Sequence, residues 1–352
     1  MADVDFGLEP DRLDGTPHPR ETLNLVGHVA AEAELLAAYR TGRMHHAWIL
    51  GGEPGIGKAT LAYRLARFIL ANPDAKSAAV QHSTDLSVRG DAPAARRMAQ
   101  LSHPDLFILR RGLTTDRKSL AAEIRVEDAR RLVHFFGTTA GEGGWRVAVI
   151  DSADDLNISS ANALLKVLEE PPSRSLFLIM SSTPKRLLPT IRSRCRMLPM
   201  QPLRAEDVAA VLRGLPDLDA DAEQIAQAAE AAGGSVRRAV ELLQGNRIEI
   251  RAAFAQVLAA LPEVDYLRVH ELAEQLTGRD GAAAFEVVVE QVLDWLHSRV
   301  RSGAATDGVS LARWAELWEK TARAAREADI FNLDRRPLVL AIVSDLAAAQ
   351  RG

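Results

Sequence analysis

One stretch restricts the fold more than any other. Ala47-Trp48-Ile49-Leu50 is a short apolar run, and Leu61 to Leu70 has helical spacing. Between them lies Gly51-Gly52-Glu53-Pro54-Gly55-Ile56-Gly57-Lys58-Ala59-Thr60. Counted from Gly52 it reads G-x-x-x-x-G-K and then Ala. A glycine-rich turn between a strand and a helix lets backbone N–H groups surround an anion, and the helix N-terminus adds its positive dipole end. The spacing predicts a phosphate-binding loop. Gly52, Gly55 and Gly57 shape the turn, Lys58 reaches the outer phosphates, and Ala59 and Thr60 open the helix. Ala59 stands where a Ser or Thr hydroxyl normally holds Mg²⁺. The loop is therefore expected to hold ATP or ADP weakly or structurally, with magnesium only alongside the nucleotide. The competing reading is a glycine turn kept for structure alone.

The surrounding pattern extends this unit. Short apolar strands are expected at Leu106–Leu109, 145–151, Leu176–Met180 and Met197–Met200, separated by helices near 94–101, 124–136 and 157–169. Another helix, near 25–39, precedes the loop. Strands alternating with helices give a parallel sheet covered on both faces. Asp151 closes the strand Val147–Ile150, at the edge where open α/β sheets bind ligands. It is a candidate Mg²⁺ carboxylate, or alternatively a capping residue. A hydrolysing site would want a carboxylate base next to it. Ser152 stands there instead, and Asp154 and Asp155 lie past the strand end as poor substitutes. Defects at 59 and 152 together predict weak or absent autonomous ATPase activity. No pair of carboxylates is set apart for nucleotidyl transfer.

Residues 1–22, rich in Asp, Pro and Gly, read as a flexible arm. The segment 72–104 is a small, polar connection. Residues 23–203 form the nucleotide-binding domain. Beyond 204 the pattern is wholly helical: a three-helix unit over 204–246, punctuated by Gly233-Gly234 and ending at Gly245-Asn246, then about five helices over 247–352. Val287, Val288, Val292, Leu293 and Leu296, with Trp295, Trp314 and Trp318, read as core.

Lys and Arg number 43 against 47 Asp and Glu, a net charge of −4. This excludes a basic, whole-surface nucleic-acid binder. The single Cys195 excludes an internal disulfide and a Cys-rich zinc site; it reads as a packed thiol. His45 and His46 diverge in an extended segment and make a poor metal pair. No apolar run long enough to span a bilayer and no signal-like N-terminus is visible, so a cytoplasmic protein without membrane contacts is expected. Arg194, in Ser193-Arg194-Cys195, can fork onto phosphate oxygens or pair with a carboxylate. In Gly234-Ser235-Val236-Arg237, Ser235 is a candidate N-cap. It puts Arg237 in a first turn, either aimed at the phosphate loop or simply on the surface.

Asn162-Ala163-Leu164-Leu165-Lys166-Val167-Leu168-Glu169-Glu170-Pro171-Pro172, followed by Ser193-Arg194-Cys195, resembles the clamp-loader branch of the AAA+ ATPases over nearly the whole chain. The resemblance implies a P-loop parallel-sheet domain, a three-helix lid and an all-α collar for oligomerisation. It implies membership of a five-subunit ring in the DNA polymerase III holoenzyme that opens a sliding clamp and places it on primed DNA. The partners implied are gamma/tau ATPase subunits and the delta subunit through the collar, with clamp and DNA through the assembled complex. Arg194 then matches a finger inserted into a neighbour's ATP site. Gly55, Gly57 and Lys58 match the loop, Asp151 the second acidic motif, Arg237 the lid sensor, and Ser182 or Thr183 the polar sensor. Two departures matter. Residues 72–104 hold no cysteine, so no zinc is expected. Ala59 and Ser152 point to a stator rather than a motor, with polymerase chemistry residing in other subunits. A gamma/tau-like active ATPase, or an AAA+ adaptor outside replication, remains the alternative.

Overall fold

The computed structural model describes residues 9, 12–13, 15–114, 120–138, 141, 144–216, 218–244, 247–276, 281–301, 308–331 and 333–351. The expected boundary at Gly245-Asn246 lies outside the described residues. The chain divides into two compact units, residues 1–219 with 229–239, and residues 220–228 with 240–352.

The first unit is built on five parallel strands: β1 (Ala47–Gly51), β2 (Leu106–Leu109), β3 (Arg146–Ile150), β4 (Ser175–Ser181) and β5 (Arg196–Pro199). Their order is β2-β3-β4-β1-β5, with β1 between β4 and β5. Helices α1 (Val29–Arg40), α2 (Lys58–Ala71), α3 (Ala78–His82), α4 (Pro93–Ala99), α5 (Val126–Gly137), α6 (Ile158–Glu169) and α7 (Pro189–Arg192) connect and cover them. The strands read as continuous apolar runs because both faces are covered. Side chains alternate between faces with period two. Trp48 and Leu50 therefore join Val147, Val149, Leu178 and Met180 against Leu61, Leu65 and Phe68 of α2. Ile49 joins Ala148, Ile150, Phe177 and Ile179 on the other face, against Leu132 and Phe136 of α5 and Leu164 and Leu168 of α6. The register pairs Gly51 with Ser181 and Ile150 with Ile179. That alignment brings the ends of β1, β3 and β4 to one edge.

Further on come α8 (Ala205–Arg213), α9 (Ala222–Ala231) and α10 (Val236–Leu243), the three helices expected of a lid. The division between compact units runs through α9 and α10. In the second unit α11 (Arg247–Ala260), α12 (Tyr266–Gln275), α13 (Gly281–Arg301), α14 (Gly308–Phe331) and α15 (Arg335–Arg351) share one core. Phe285, Val288, Val292 and Leu296 of α13 are buried in it. Trp295 meets Trp314 edge-on at 5.6 Å. Trp318 departs from its expected core role and is 46% exposed; a ring that large is rarely enclosed on every side.

The N-terminal arm is packed where it is described. Glu9, His18 and Arg20 are buried. Arg20 forks onto Glu9 at 2.9 and 3.2 Å, and Arg110 reaches the same carboxylate at 2.7 Å. Arg67 of α2 donates to the Arg20 carbonyl at 2.7 Å. Glu9 and Arg20 supply ions to a buried network, which composition alone does not distinguish from a free tail. Among the described residues no helix is long and apolar enough to cross a membrane.

Candidate functional site

The loop after β1 is fixed by its carbonyls. Gly51 O accepts from Met200 N at 2.7 Å, and Gly52 O and Glu53 O both accept from Lys58 Nζ at 2.6 Å. Pro54 O accepts from Ser235 Oγ at 2.9 Å, and Gly55 O from Val236 N at 2.9 Å. Ile56 O accepts from His28 Nε2 at 2.6 Å, and Gly57 O from Leu61 N at 3.1 Å. Seven consecutive carbonyls are tethered to the protein. A trans peptide directs its N–H away from its C=O; the Gly52 N–H donates to Ser181 O at 3.2 Å, and Pro54 has no N–H to offer. Gly55 and Gly57 have φ of 75° and 102°, a region that glycine enters without strain. At Gly55 the space matters as well: a Cβ there would lie 2.3 Å from Ser235 Oγ and 2.5 Å from Arg237 Cβ.

Lys58 is 8% exposed. An ammonium has three protons to donate, and its acceptors are the two loop carbonyls and Ser182 Oγ, the last at 3.4 Å. Burial pushes its pKa down to about 8, with Arg237 pushing the same way, while Asp151 and Asp154 oppose the fall. Ala59 packs against the apolar cluster beneath α2. Its methyl replaces the metal-binding hydroxyl and contributes to packing.

A cavity of about 570 Å³ opens over the loop, within the ~300–1,000 Å³ range of small-ligand sites. Gly55, Gly57, Lys58, Ala59, Thr60, Asp151, Ser182 and Arg237 all line it. The fold thus gathers into one space residues that the sequence reading singles out in scattered parts of the chain, Ser182 among them only through the resemblance. Gly52 and Arg194 do not line it. Gly52 acts behind the loop, where a Cβ would come within 2.6 Å of the Met200 carbonyl. The arm forms part of the wall through Pro17, Pro19 and Thr22, and Arg111 paired with Asp155 at 3.1 Å forms another part. The residues fit a polyphosphate through the amides of the loop, Lys58 and Arg237. They fit a catalytic magnesium ion poorly, since position 59 offers no oxygen. Among the described residues, no group of three or more His, Cys, Asp or Glu could hold a metal.

Asp154 has a larger role than its sequence position suggests. Its carboxylate accepts from Ser181 Oγ at 2.9 Å, Ser182 N at 2.5 Å, Thr183 N at 3.0 Å and Thr183 Oγ1 at 2.7 Å, and from Ser152 Oγ at 3.0 Å. Burial alone would raise its pKa; the hydrogen bonds from Thr183, Ser182 and Ser181 outweigh that and hold it below the usual carboxylate range. A carboxylate tied to five donors is a brace for the end of β4 and a poor proton acceptor. Ser182 and Thr183, the two candidates for the polar sensor, both donate their backbone N–H to Asp154. Ser182 meets Lys58, and Thr183 meets Asp154.

Arg194 lies elsewhere in the same unit, beside the C-terminus of α6. Nη2 donates to Glu169 Oε1 at 2.5 Å, and Nη1 donates to Thr190 O at 2.8 Å and Ser193 Oγ at 3.3 Å. Its side chain is 32% exposed. The structure thus pairs this arginine with a carboxylate, one of its two sequence readings, and leaves it part-exposed. Burial pushes the neighbouring Cys195 thiol up to about 12, against a smaller opposing effect of Arg194, so it is not a thiolate near neutral pH.

A family model described as DNA polymerase III, delta subunit, matches residues 27–204. The DNA polymerase III subunit delta' of Pseudomonas aeruginosa is 37% identical over 179 residues, 50% of this chain and 50% of that protein. The subunit delta' of Yersinia pestis is 32% identical over 270 residues, covering 75% of this chain and 73% of its own. The DNA polymerase III subunit gamma/tau of Mycobacterium tuberculosis is 26% identical over 287 residues, covering 79% and 46%. The chain thus spans half the length of the Pseudomonas relative that it matches.

Proposed function

The chain belongs to the DNA polymerase III delta subunit family, and on that premise we propose that it is a clamp-loader stator of the delta-prime kind. It assembles with gamma/tau-type ATPase subunits and a delta subunit through its C-terminal helices. It helps place a sliding clamp on primed DNA in the cytoplasm. Its chemical contribution is Arg194, presented to ATP on the adjacent subunit.

The observation that carries this reading is the separation of Arg194 from the cavity. The guanidinium does not line the nucleotide-sized space of its own chain, and it is part-exposed on the surface. A guanidinium placed there stabilises charge on a transferring γ-phosphoryl group supplied by another molecule. The chain's own cavity supports the complementary half of the reading. Lys58, Arg237 and the loop amides would hold a nucleotide's phosphates. Asp154 is committed to Ser181, Ser182 and Thr183, and Ala59 has no oxygen for magnesium. These features weigh against a motor of the gamma/tau kind, despite the similarity to such subunits. Polymerase chemistry is assigned to other members of the holoenzyme.

The test is a reconstituted complex in which only the ATPase subunit adjacent to this chain can hydrolyse ATP. Arg194→Ala lowers DNA-stimulated turnover by about 10³-fold and leaves assembly on a sizing column intact. Unchanged turnover overturns the trans role. Magnesium-dependent hydrolysis at ~1 s⁻¹ by this chain alone overturns the stator role.

A further inference from the structure

We propose that Glu169 is the positioning residue for Arg194, holding the guanidinium in the orientation in which it meets the neighbour's phosphate. The inference rests on the trans role of Arg194 proposed above.

Glu169 is the last residue of α6, and Pro171-Pro172 prevent the helix from continuing. The helix is pinned from beneath by Ala161, Leu164 and Leu168, all buried in the core on that face of the sheet. The carboxylate is thus carried at a fixed point, although 47% of its side chain is exposed. It takes one Nη2 proton of Arg194 at 2.5 Å. Thr190, on α7, takes an Nη1 proton through its carbonyl at 2.8 Å, and Ser193 Oγ takes another at 3.3 Å. A guanidinium has five N–H donors. These contacts use three, and Nε–H and the second Nη2 proton have no acceptor among the described residues.

That division defines a fork. One side of the guanidinium is bound to its own chain, and the two remaining protons are available for an incoming oxygen. An arginine side chain carries roughly 2 kcal/mol of rotamer entropy, and fixing it beforehand removes that ordering from the reaction step. The C-terminal end of α6 adds the negative end of its dipole beside the cation. The pair is exposed enough that solvent screens much of its attraction. Its contribution to stability is small, and its geometric contribution is what the assay reads.

The same single-active-site complex tests this. Glu169→Ala should lower kcat about tenfold with the KM for ATP unchanged, because the interaction is made only in the transition state. Glu169→Gln, which keeps an acceptor oxygen at the same reach, should recover most of that loss. In an Arg194→Ala background, Glu169→Ala should have no further effect. Unchanged or increased turnover in Glu169→Ala overturns the inference, an increase meaning that the carboxylate restrains the arginine rather than aiming it. An equal loss in the Arg194→Ala background also overturns it. If Arg194→Ala itself is silent, the trans role fails first. If Arg194→Ala is severe and Glu169→Ala and Glu169→Gln are both silent, only the positioning role fails.

Discussion

Replacing Lys58 by methionine turns the burial of one ammonium into a measurable pH dependence. In the folded chain its pKa falls from 10.5 to about 8. At 1.36 kcal/mol per pH unit, the gap amounts to about 3 kcal/mol. Between pH 8 and 10.5 the unfolded chain keeps a proton at this side chain that the folded chain has released. Raising the pH through that window therefore favours the fold. Below pH 8 both states are charged and the full penalty of burying the ammonium remains. A methionine side chain has nearly the same length and does not titrate. It also leaves the Gly52 and Glu53 carbonyls without their donor, a loss that does not vary with pH. Urea unfolding of both proteins at matched pH cancels every other titrating group. The stability of the native chain relative to Lys58→Met should rise by about 2 kcal/mol between pH 7.5 and 10. A difference flat to within ~0.5 kcal/mol, or one that falls, would refute the assignment of a desolvated lysine at the loop.

Two further substitutions probe the loop and the arm. Gly55→Ala puts a methyl 2.3 Å from Ser235 Oγ at a φ of 75°, and should destabilise by about 3 kcal/mol, read as a fall of roughly 8 °C in the melting temperature of the first unit. Arg20→Ala leaves Glu9 buried with Arg110 as its remaining partner. It should cost about 3 kcal/mol in chemical unfolding, and proteolysis should open the chain before residue 23 faster than in the native protein.

The sheet was legible because its strands are buried on both faces. Val147 to Ile150 and Leu176 to Met180 have no polar position to blur the pattern, and strand ends fall within a residue or two of those expected. The phosphate loop and Arg237 were legible through spacing and a helix cap. Three features were hidden, each for the same kind of reason. Asp154 gains its meaning from Ser181, Ser182 and Thr183, which lie 27 to 29 residues away. Glu169 belongs to a stretch whose signature value masked any individual role for its side chains, and its partner is 25 residues on. Glu9 and Arg20 look like tail residues until Arg110, 101 residues from Glu9, is brought beside them. Local pattern encodes which face of an element is buried; it does not encode which distant ion an exposed-looking charge will meet.

The seven tethered carbonyls of residues 51–57 have a consequence for traffic through the cavity. A turn whose peptide planes are already set loses almost no backbone freedom when an anion arrives, whereas ordering an unfixed residue would cost about 1–2 kcal/mol. On the reading proposed above, a phosphate entering the cavity would meet the Lys58 amine by taking the place of the Gly52 and Glu53 carbonyl oxygens, a side-chain rotation rather than a loop rearrangement. Such rotations are complete in picoseconds to nanoseconds when unhindered, and loop reorganisation takes nanoseconds to microseconds. A ligand at such a site would therefore be registered first in the Lys58 side chain, whose two carbonyl contacts it would displace.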